Sequence, residues 1–254
     1  MDPADATFER PTTGVERWPE GWHVTVVAST GSTNADLLAA VATGAPDRSV
    51  LIARHQTAGR GRLDRRWEAP PGSNLLMSVL FRRVDDDPHH LVQRLALAAR
   101  SVAATRGVAA DLKWPNDLLV ADRKLAGVLA EARPEPGAQP GAADLAVVVG
   151  IGLNVGWAPE GAARLGDGVD PLAVAADMLA AYDRIDPASM LDEYRAHLAT
   201  LGRRVRVELA TGSADSPHVV EGRALDVEPD GRLVVLDDCA ITHRFSVGDV
   251  VHLR

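Results

Sequence analysis

Apolar positions along the chain follow two periods. Short alternating or uniformly apolar runs predict strands at His23–Ala28, Val50–Arg54, Asn74–Arg82, Asp111–Lys113, Leu118–Ala121, Leu125–Ala132 and Asp144–Val155. The last carries Val147-Val148-Val149 at its centre, apolar enough to be covered on both faces. Helical spacing follows Ser32-Thr33-Asn34, with Leu37, Leu38 and Val41 on one side; a hydroxyl caps the first turn and Gly44 ends the helix. Asp87-Pro88, Asp170-Pro171 and Asp186-Pro187 each set a capping carboxylate before a proline at the first helical position. The first of these helices is expected to run to about Arg106, where Gly107 stops it. Residues 1–20 form a leader rich in Pro, Thr and Glu, and loops are expected at Thr57–Ser73 and Pro134–Gly141. Beyond Leu201 the texture changes. Short strands at Val205–Leu209, Val219–Val227, Leu233–Leu236 and Val250–Leu253, separated by glycine-bearing turns, predict a small β-barrel. The chain thus divides into residues 1–200 and 201–254.

Composition narrows the class. Of 254 residues, 46% are hydrophobic and 24% charged, which excludes a disordered or fibrous chain. A net charge of −8 argues against coating nucleic acid through an overall field. The single cysteine, Cys239, rules out an internal disulfide or a cysteine metal cage and points to a reducing compartment. Met1-Asp2-Pro3 opens an acidic stretch unlike a signal peptide, and the longest apolar run, Leu145 to Leu153, is too short to span a bilayer. A cytoplasmic protein without membrane contact is expected. Of the 27 basic Lys and Arg side chains only two are lysine, Lys113 and Lys124, close together in sequence. Coding bias explains this, and so does a chemical need for a compact point charge at these positions.

Four segments carry candidate chemistry. Gln56-Thr57-Ala58-Gly59-Arg60-Gly61-Arg62-Leu63-Asp64-Arg65-Arg66-Trp67 holds four arginines in seven residues and two glycines that let backbone approach an anion, and ends in a flat aromatic. The same composition also suits a solvated basic loop or an RNA-binding segment. Lys113-Trp114-Pro115-Asn116-Asp117 places a cation, an aromatic, an amide and a carboxylate at a strand end, or forms a polar turn over a core tryptophan. Strand alternation from Lys124 puts Lys124, Ala126, Val128 and Ala130 on one face, a lysine above a small apolar floor. Gly150-Ile151-Gly152-Leu153-Asn154 marks a strand approached closely by something, ending in an amide that needs a partner in the protein or a ligand. Together they suit attack of a carboxylic acid on the α-phosphate of ATP. Two anions meet, cations neutralise both, Mg2+ shares the phosphate charge, and a closing loop protects the labile acyl-adenylate.

These stretches, in this order, resemble the biotin–protein ligase family. The resemblance implies an α+β fold, a mixed β-sheet with packed helices related to class II aminoacyl-tRNA synthetases, followed by the small C-terminal barrel. It implies a ligase that makes biotinyl-5′-AMP from biotin and ATP, then biotinylates a lysine of the biotin carboxyl carrier protein of a carboxylase. By motif position Ser32, Thr33, Asn34, Gln56, Arg60, Gly61, Arg62 and Lys124 would bind biotin. Arg60, Arg62, Arg65, Trp67, Asn116, Asp117, Lys124 and Asn154 would bind the nucleotide, with Lys124 and Arg62 catalytic and no protein-held metal. Asp64 departs from the glycine usual there, so weaker ATP affinity or a looser loop is expected. Only about thirty residues precede Ser32, too few for the DNA-binding domain of some members, so no sequence-specific DNA binding is expected. A monomer or weak homodimer is expected. Lipoate–protein ligases share the fold and the adenylate chemistry; the arginine–glycine loop and the Lys-Trp-Pro-Asn-Asp run favour biotin.

Overall fold

The computed structural model describes residues 18–63, 65–84, 88–138, 144–209 and 218–253. Asp64, the Asp87 cap and most of the N-terminal leader lie outside them, as do residues 139–141 of the predicted loop.

The first sheet is formed by β1 (His23–Val27), β2 (Ser49–Ala53), β3 (Leu75–Val84), β4 (Asp111–Lys113), β5 (Asp117–Val120), β6 (Arg123–Pro134) and β7 (Leu145–Leu153). Its spatial order is β1-β2-β3-β7-β6-β5-β4. β1 and β2 are parallel and every other pair is antiparallel, so the sheet is mixed, as the family resemblance implied. Among the described residues four α-helices accompany it: α1 (Thr33–Ala40), α2 (His89–Thr105), α3 (Pro171–Arg184) and α4 (Met190–Ala196). α1 packs on one face through a small cluster of Leu37, Val41, Leu51, Leu80 and Val148. α2 packs on the other face, with α3 and α4 against it. That face holds the main core, in which β3 contributes Leu75, Met77 and Val79 and β7 contributes Val147, Val149 and Ile151. β7 is covered on both sides because even positions face α1 and odd positions face α2.

Local signals explain most boundaries. Ser32 sits at φ −156° as the N-cap of α1, and Gly44 closes the following 3-10 turn at φ 81°. The Asp170 side chain accepts from the Leu172 N–H, with Pro171 at the first position of α3. Asp186-Pro187 behaves differently from the expectation. The Asp186 carboxylate accepts from the Ala188 N–H and closes a turn, and α4 starts only at Met190, behind an N-cap Ser189 whose hydroxyl donates back to the Asp186 carbonyl and makes no capping bond.

The C-terminal region forms a five-stranded antiparallel sheet from β8 (Arg204–Leu209), β9 (His218–Val227), β10 (Leu233–Asp237), β11 (Thr242–Phe245) and β12 (Asp249–His252). Its order is β11-β10-β9-β8-β12: the expected C-terminal β-sheet is present, and among the described residues no pairing closes it into a barrel. β11 was not expected: Thr242-His243-Arg244-Phe245 has one buried apolar residue, and pairing with β10 defines the strand. Val205, Val207, Leu233, Val235 and Val250 belong to the same core cluster as the first sheet. Among the described residues no helix is long and apolar enough to cross a membrane.

Candidate active site

A cavity of about 330 Å3 opens on the α1 face of the large sheet. Every site residue named from the sequence lines it, from Ser32 to Asn154. Its floor follows β7 and β6, where Gly150 pairs with Leu129 and Gly152 with Gly127. A Cβ at Gly150 would lie 2.2 Å from Asn34 Oδ1, and one at Gly152 would lie 2.3 Å from Trp67 Cε2. Side chains from two other elements occupy the space that these glycines leave.

At the Gly150 end the groups are hydroxyls and amides. The Thr33 N–H donates to Gln56 Oε1 at 2.7 Å, and Thr33 Oγ1 lies 3.0 Å from the same oxygen and 2.6 Å from Ser78 Oγ. Ser78 Oγ donates to Asn34 Oδ1 at 2.6 Å. Asn34 Nδ2 donates to Glu131 Oε2 at 2.8 Å and to the Leu129 carbonyl at 3.2 Å. Ser32, Thr33, Asn34 and Ser78 are buried.

The arginine loop folds back over the Gly152 end. The Gly61 N–H donates to the Arg65 carbonyl, and the Trp67 N–H to the Gly59 carbonyl. A Cβ at Gly59 would stand 2.4 Å from the Trp67 carbonyl oxygen, so the return of the loop requires glycine there. Arg60 pairs with Glu131 at 2.9 Å. Arg62 donates to Asn116 Oδ1 and to the Gly248 carbonyl, both at 3.2 Å, and Arg65 pairs with Asp249. Burial lowers the Arg62 pKa most, with Arg65 adding to the effect and Asp249 and Asp117 opposing it; a guanidinium there stays charged. Arg66 is exposed, 3.9 Å from Glu68. Trp67 Nε1 is buried without a partner among the described residues.

Lys124 Nζ stands 2.6 Å from Asp117 Oδ1 and 5.6 Å from the Trp67 ring centre. Its neighbours differ from those expected. The ladder pairs Leu119 with Lys124 but Leu118 with Ala126, which leaves Leu125 as an extra residue on β6. That bulge reverses the alternation beyond it. Ala126 and Val128 therefore point into the main core, while Gly127, Leu129 and Glu131 share the pocket face with Lys124. The expected floor of Ala126, Val128 and Ala130 is corrected accordingly.

Asn154 has partners in the protein. Its Nδ2 donates to the carbonyls of Ala163 at 3.0 Å and Lys124 at 3.3 Å, and its Oδ1 accepts from Asn74 Nδ2 at 3.2 Å. Asn74 in turn accepts from the Val155 and Trp157 N–H groups. Asn116 Nδ2 donates to the Val128 carbonyl, tying the Asn-Asp turn to β6. Trp114 is a core residue, 1% exposed, whose indole N–H donates to the Gly231 carbonyl of the C-terminal sheet. Lys113 does not line the cavity.

Sequence reasoning missed Ser78, Glu131 and the Gly248-Asp249 pair. Ser78 was visible as the one hydroxyl within Leu75–Phe81. Glu131 lay at the end of a singled-out segment but needed the bulge to be assigned to the pocket. Gly248-Asp249 read only as a turn between strands, because it reaches the loop through the packing of the two sheets.

The family model described as Biotin/lipoate A/B protein ligase family matches residues 26–154. The chain is 44% identical to the biotin--[acetyl-CoA-carboxylase] ligase of Mycobacterium tuberculosis (strain ATCC 25618 / H37Rv), across 92% of this chain and 91% of that protein. It is 31% identical to the biotin--[acetyl-CoA-carboxylase] ligase of Paracoccus denitrificans, across 83% and 92%. The biotin protein ligase of Aquifex aeolicus, solved in complex with biotin and ATP, has the same fold: TM-score 0.70, 22% identity, 91% of this chain and 99% of that one. The chain belongs to the biotin/lipoate A/B protein ligase family.

Proposed function

We propose that this protein is an ATP-dependent ligase that joins biotin to AMP and then transfers biotin to a lysine of a biotin carboxyl carrier protein of a carboxylase. The observation that carries the reading is the arrangement of groups across β7 and β6: hydroxyls and amides at Gly150, Trp67 over Gly152, Lys124 over Gly127, which pairs with Gly152, and Arg62 bonded to Asn116 in the turn beside β6. Biotin has the same order, with a ureido ring that donates and accepts hydrogen bonds, an apolar thioether ring and tail, and a carboxylate. Ser32, Thr33, Asn34 and Gln56 hold the ureido end. Gly61 and Arg60 line the approach, and Lys124 takes the carboxylate. Arg62, Arg65, Trp67, Asn116 and Asp117 border the nucleotide, and Asn154 acts by holding the Lys124 carbonyl and the 163 turn in place.

In the first step a carboxylate oxygen attacks the α-phosphorus of ATP. The new O–P bond gives biotinyl-5′-AMP and the α–β anhydride bond breaks, releasing pyrophosphate. Lys124 and Arg62 offset the charge gathering on the α-phosphate oxygens. In the second step the carrier lysine amine attacks the acyl carbon, AMP leaves, and the amine proton passes to solvent. Of the carboxylates lining the cavity, Asp117 and Asp249 are paired with Lys124 and Arg65, and Glu68 lies 3.9 Å from Arg66. Among the described residues no group of three or more His, Cys, Asp or Glu is placed to hold a metal ion; Mg2+ would share the phosphate charge as part of the ATP substrate.

In this reading residues 1–200 form the catalytic unit. Residues 201–254 form a small barrel-like sheet on the side where the carrier protein binds, with Gly248-Asp249 reaching the arginine loop. The protein works in the cytoplasm as a monomer or weak homodimer, and its net charge of −8 suits an enzyme without a DNA role. Biotin-dependent exchange of pyrophosphate into ATP, followed by biotin transfer to a carrier domain, tests the whole sequence. Exchange stimulated by lipoate and not by biotin would overturn the choice of acid, and no exchange with either would overturn the reaction.

A further inference from the structure

Lys113 and Asp117 stand directly opposite each other in the β4–β5 ladder, so their side chains leave the same face of the sheet, about 5 Å apart at Cβ. Asp117 nevertheless pairs with Lys124, at 2.6 Å. Lys113 is half-buried, and among the described residues it has no ion pair and no side-chain hydrogen bond. Its surroundings add positive charge. Burial lowers the His252 pKa most, and Lys113 and Arg203 lower it further. The carboxylate opposing them, Asp122, is itself paired with Arg203 at 3.1 Å. A half-buried ammonium beside two more basic side chains, without a counter-ion of its own, is set to take an anion.

The register indicates which anion reaches it. Asp117 pairs with Gly127, and Gly127 with Gly152, so Gly152, Gly127, Asp117 and Lys113 form one row across four strands on the pocket face. Trp67 stands over Gly152, and a Cβ at Gly127 would lie 3.1 Å from Lys124 Nζ. The Lys124 ammonium thus sits between Gly127 and Asp117. Lys113 stands at the edge of the sheet just outside the cavity, one strand or about 5 Å beyond Asp117. In the proposed reaction the acid lies with its ring at Gly150 and its carboxylate at Lys124. Displacement at phosphorus puts the leaving oxygen opposite the attacking one. With the acid entering from β7, the leaving group points outward across β5 to β4.

We infer that Lys113 binds the β- and γ-phosphates of ATP and holds the pyrophosphate as it leaves. This deepens the proposed function and rests on it. The carboxylate oxygen forms the new bond to the α-phosphorus, and the α–β bridging oxygen takes the electron pair of the bond that breaks. Lys113 offsets the charge that builds on the departing group. The two lysines divide the work: Lys124 serves the acid and the α-phosphate, Lys113 the group that departs. The second step contains no pyrophosphate, and Lys113 has no part in it.

Biotin-dependent pyrophosphate exchange and single-turnover transfer from ready-made biotinyl-5′-AMP separate the two steps. Lys113→Met should raise the KM for pyrophosphate in exchange by at least about tenfold, the scale of one charge-assisted hydrogen bond, and lower kcat/KM for ATP likewise. Transfer from the adenylate should stay close to the wild-type rate. Lys113→Arg, which keeps the charge, should recover most of the loss. Unchanged exchange in Lys113→Met, or an equal loss in both steps, overturns the inference. Wild-type protein gives a check that does not depend on how the variants fold. With only two lysines in the chain, reductive methylation read by mass spectrometry should show Lys113 protected by inorganic pyrophosphate and not by chloride at the same ionic strength. A Lys113 left unprotected overturns the inference whatever the variants do. A wild type without biotin-dependent exchange overturns the proposed function, and the labelling then decides the anion site by itself.

Discussion

The indole of Trp67 rests on the bare backbone of Gly152, so close that a Cβ at residue 152 would fall 2.3 Å from its Cε2 atom. The arginine loop ends where the sheet has no side chain to hold it off. Gly152→Ala should therefore displace Trp67 and lower adenylate formation by at least about tenfold while the melting midpoint changes little. A double-mutant cycle with Trp67→Ala checks the cause, since the two losses should be strongly non-additive when they share one contact.

In the proposed reaction Lys124 serves the meeting of the two acids, and Asp117, 2.6 Å away, fixes its ammonium. Lys124→Ala should lower adenylate formation by about 10²–10³-fold, as removal of a preorganised charge does at other transition states. Transfer from biotinyl-5′-AMP supplied ready-made should suffer less, because the phosphorus chemistry is then complete. Single-turnover assays of the two half-reactions separate these outcomes.

Asn154 is 3% exposed and bonds to the Ala163 carbonyl, the Lys124 carbonyl and Asn74. Asn154→Ala leaves these groups buried without partners and should cost about 1–3 kcal/mol of stability. Urea unfolding of variant and wild type measures the loss, and a variant as stable as the wild type would contradict the structural role assigned to this amide.

His252 on β12 bonds to Thr200 Oγ1 at 3.2 Å and lies 3.3 Å from Arg203. Burial, Lys113 and Arg203 push its pKa down from 6.5 to about 4, against Asp122. The unfolded chain thus binds a proton that the folded chain refuses between these values. The contribution of His252 is full above about pH 6.5 and declines as pH falls toward about 4. In His252→Gln this part of the pH dependence should vanish, which thermal melts across that range compare directly with the wild type.

The chain itself determined much of the molecule. Strands β1 to β7 followed from apolar runs within a residue or two, because their alternation and length are local properties. The caps at Ser32 and Asp170 followed from side chains that reach their own backbone. The named site residues came together in one cavity because they lie in short segments beside strand ends or glycines. Tertiary pairing decided the rest. The extra residue at Leu125 is invisible in a list of apolar positions, since a bulge exists only against a partner strand, yet it alone turns Gly127, Leu129 and Glu131 toward the pocket. β11 has almost no apolar pattern and is held by its ladder to β10. Asp249 meets Arg65, and Gly231 meets Trp114, only because the two sheets share one core. Periodicity reports which face of an element is buried, while contacts between elements far apart in sequence depend on how those faces are registered and packed.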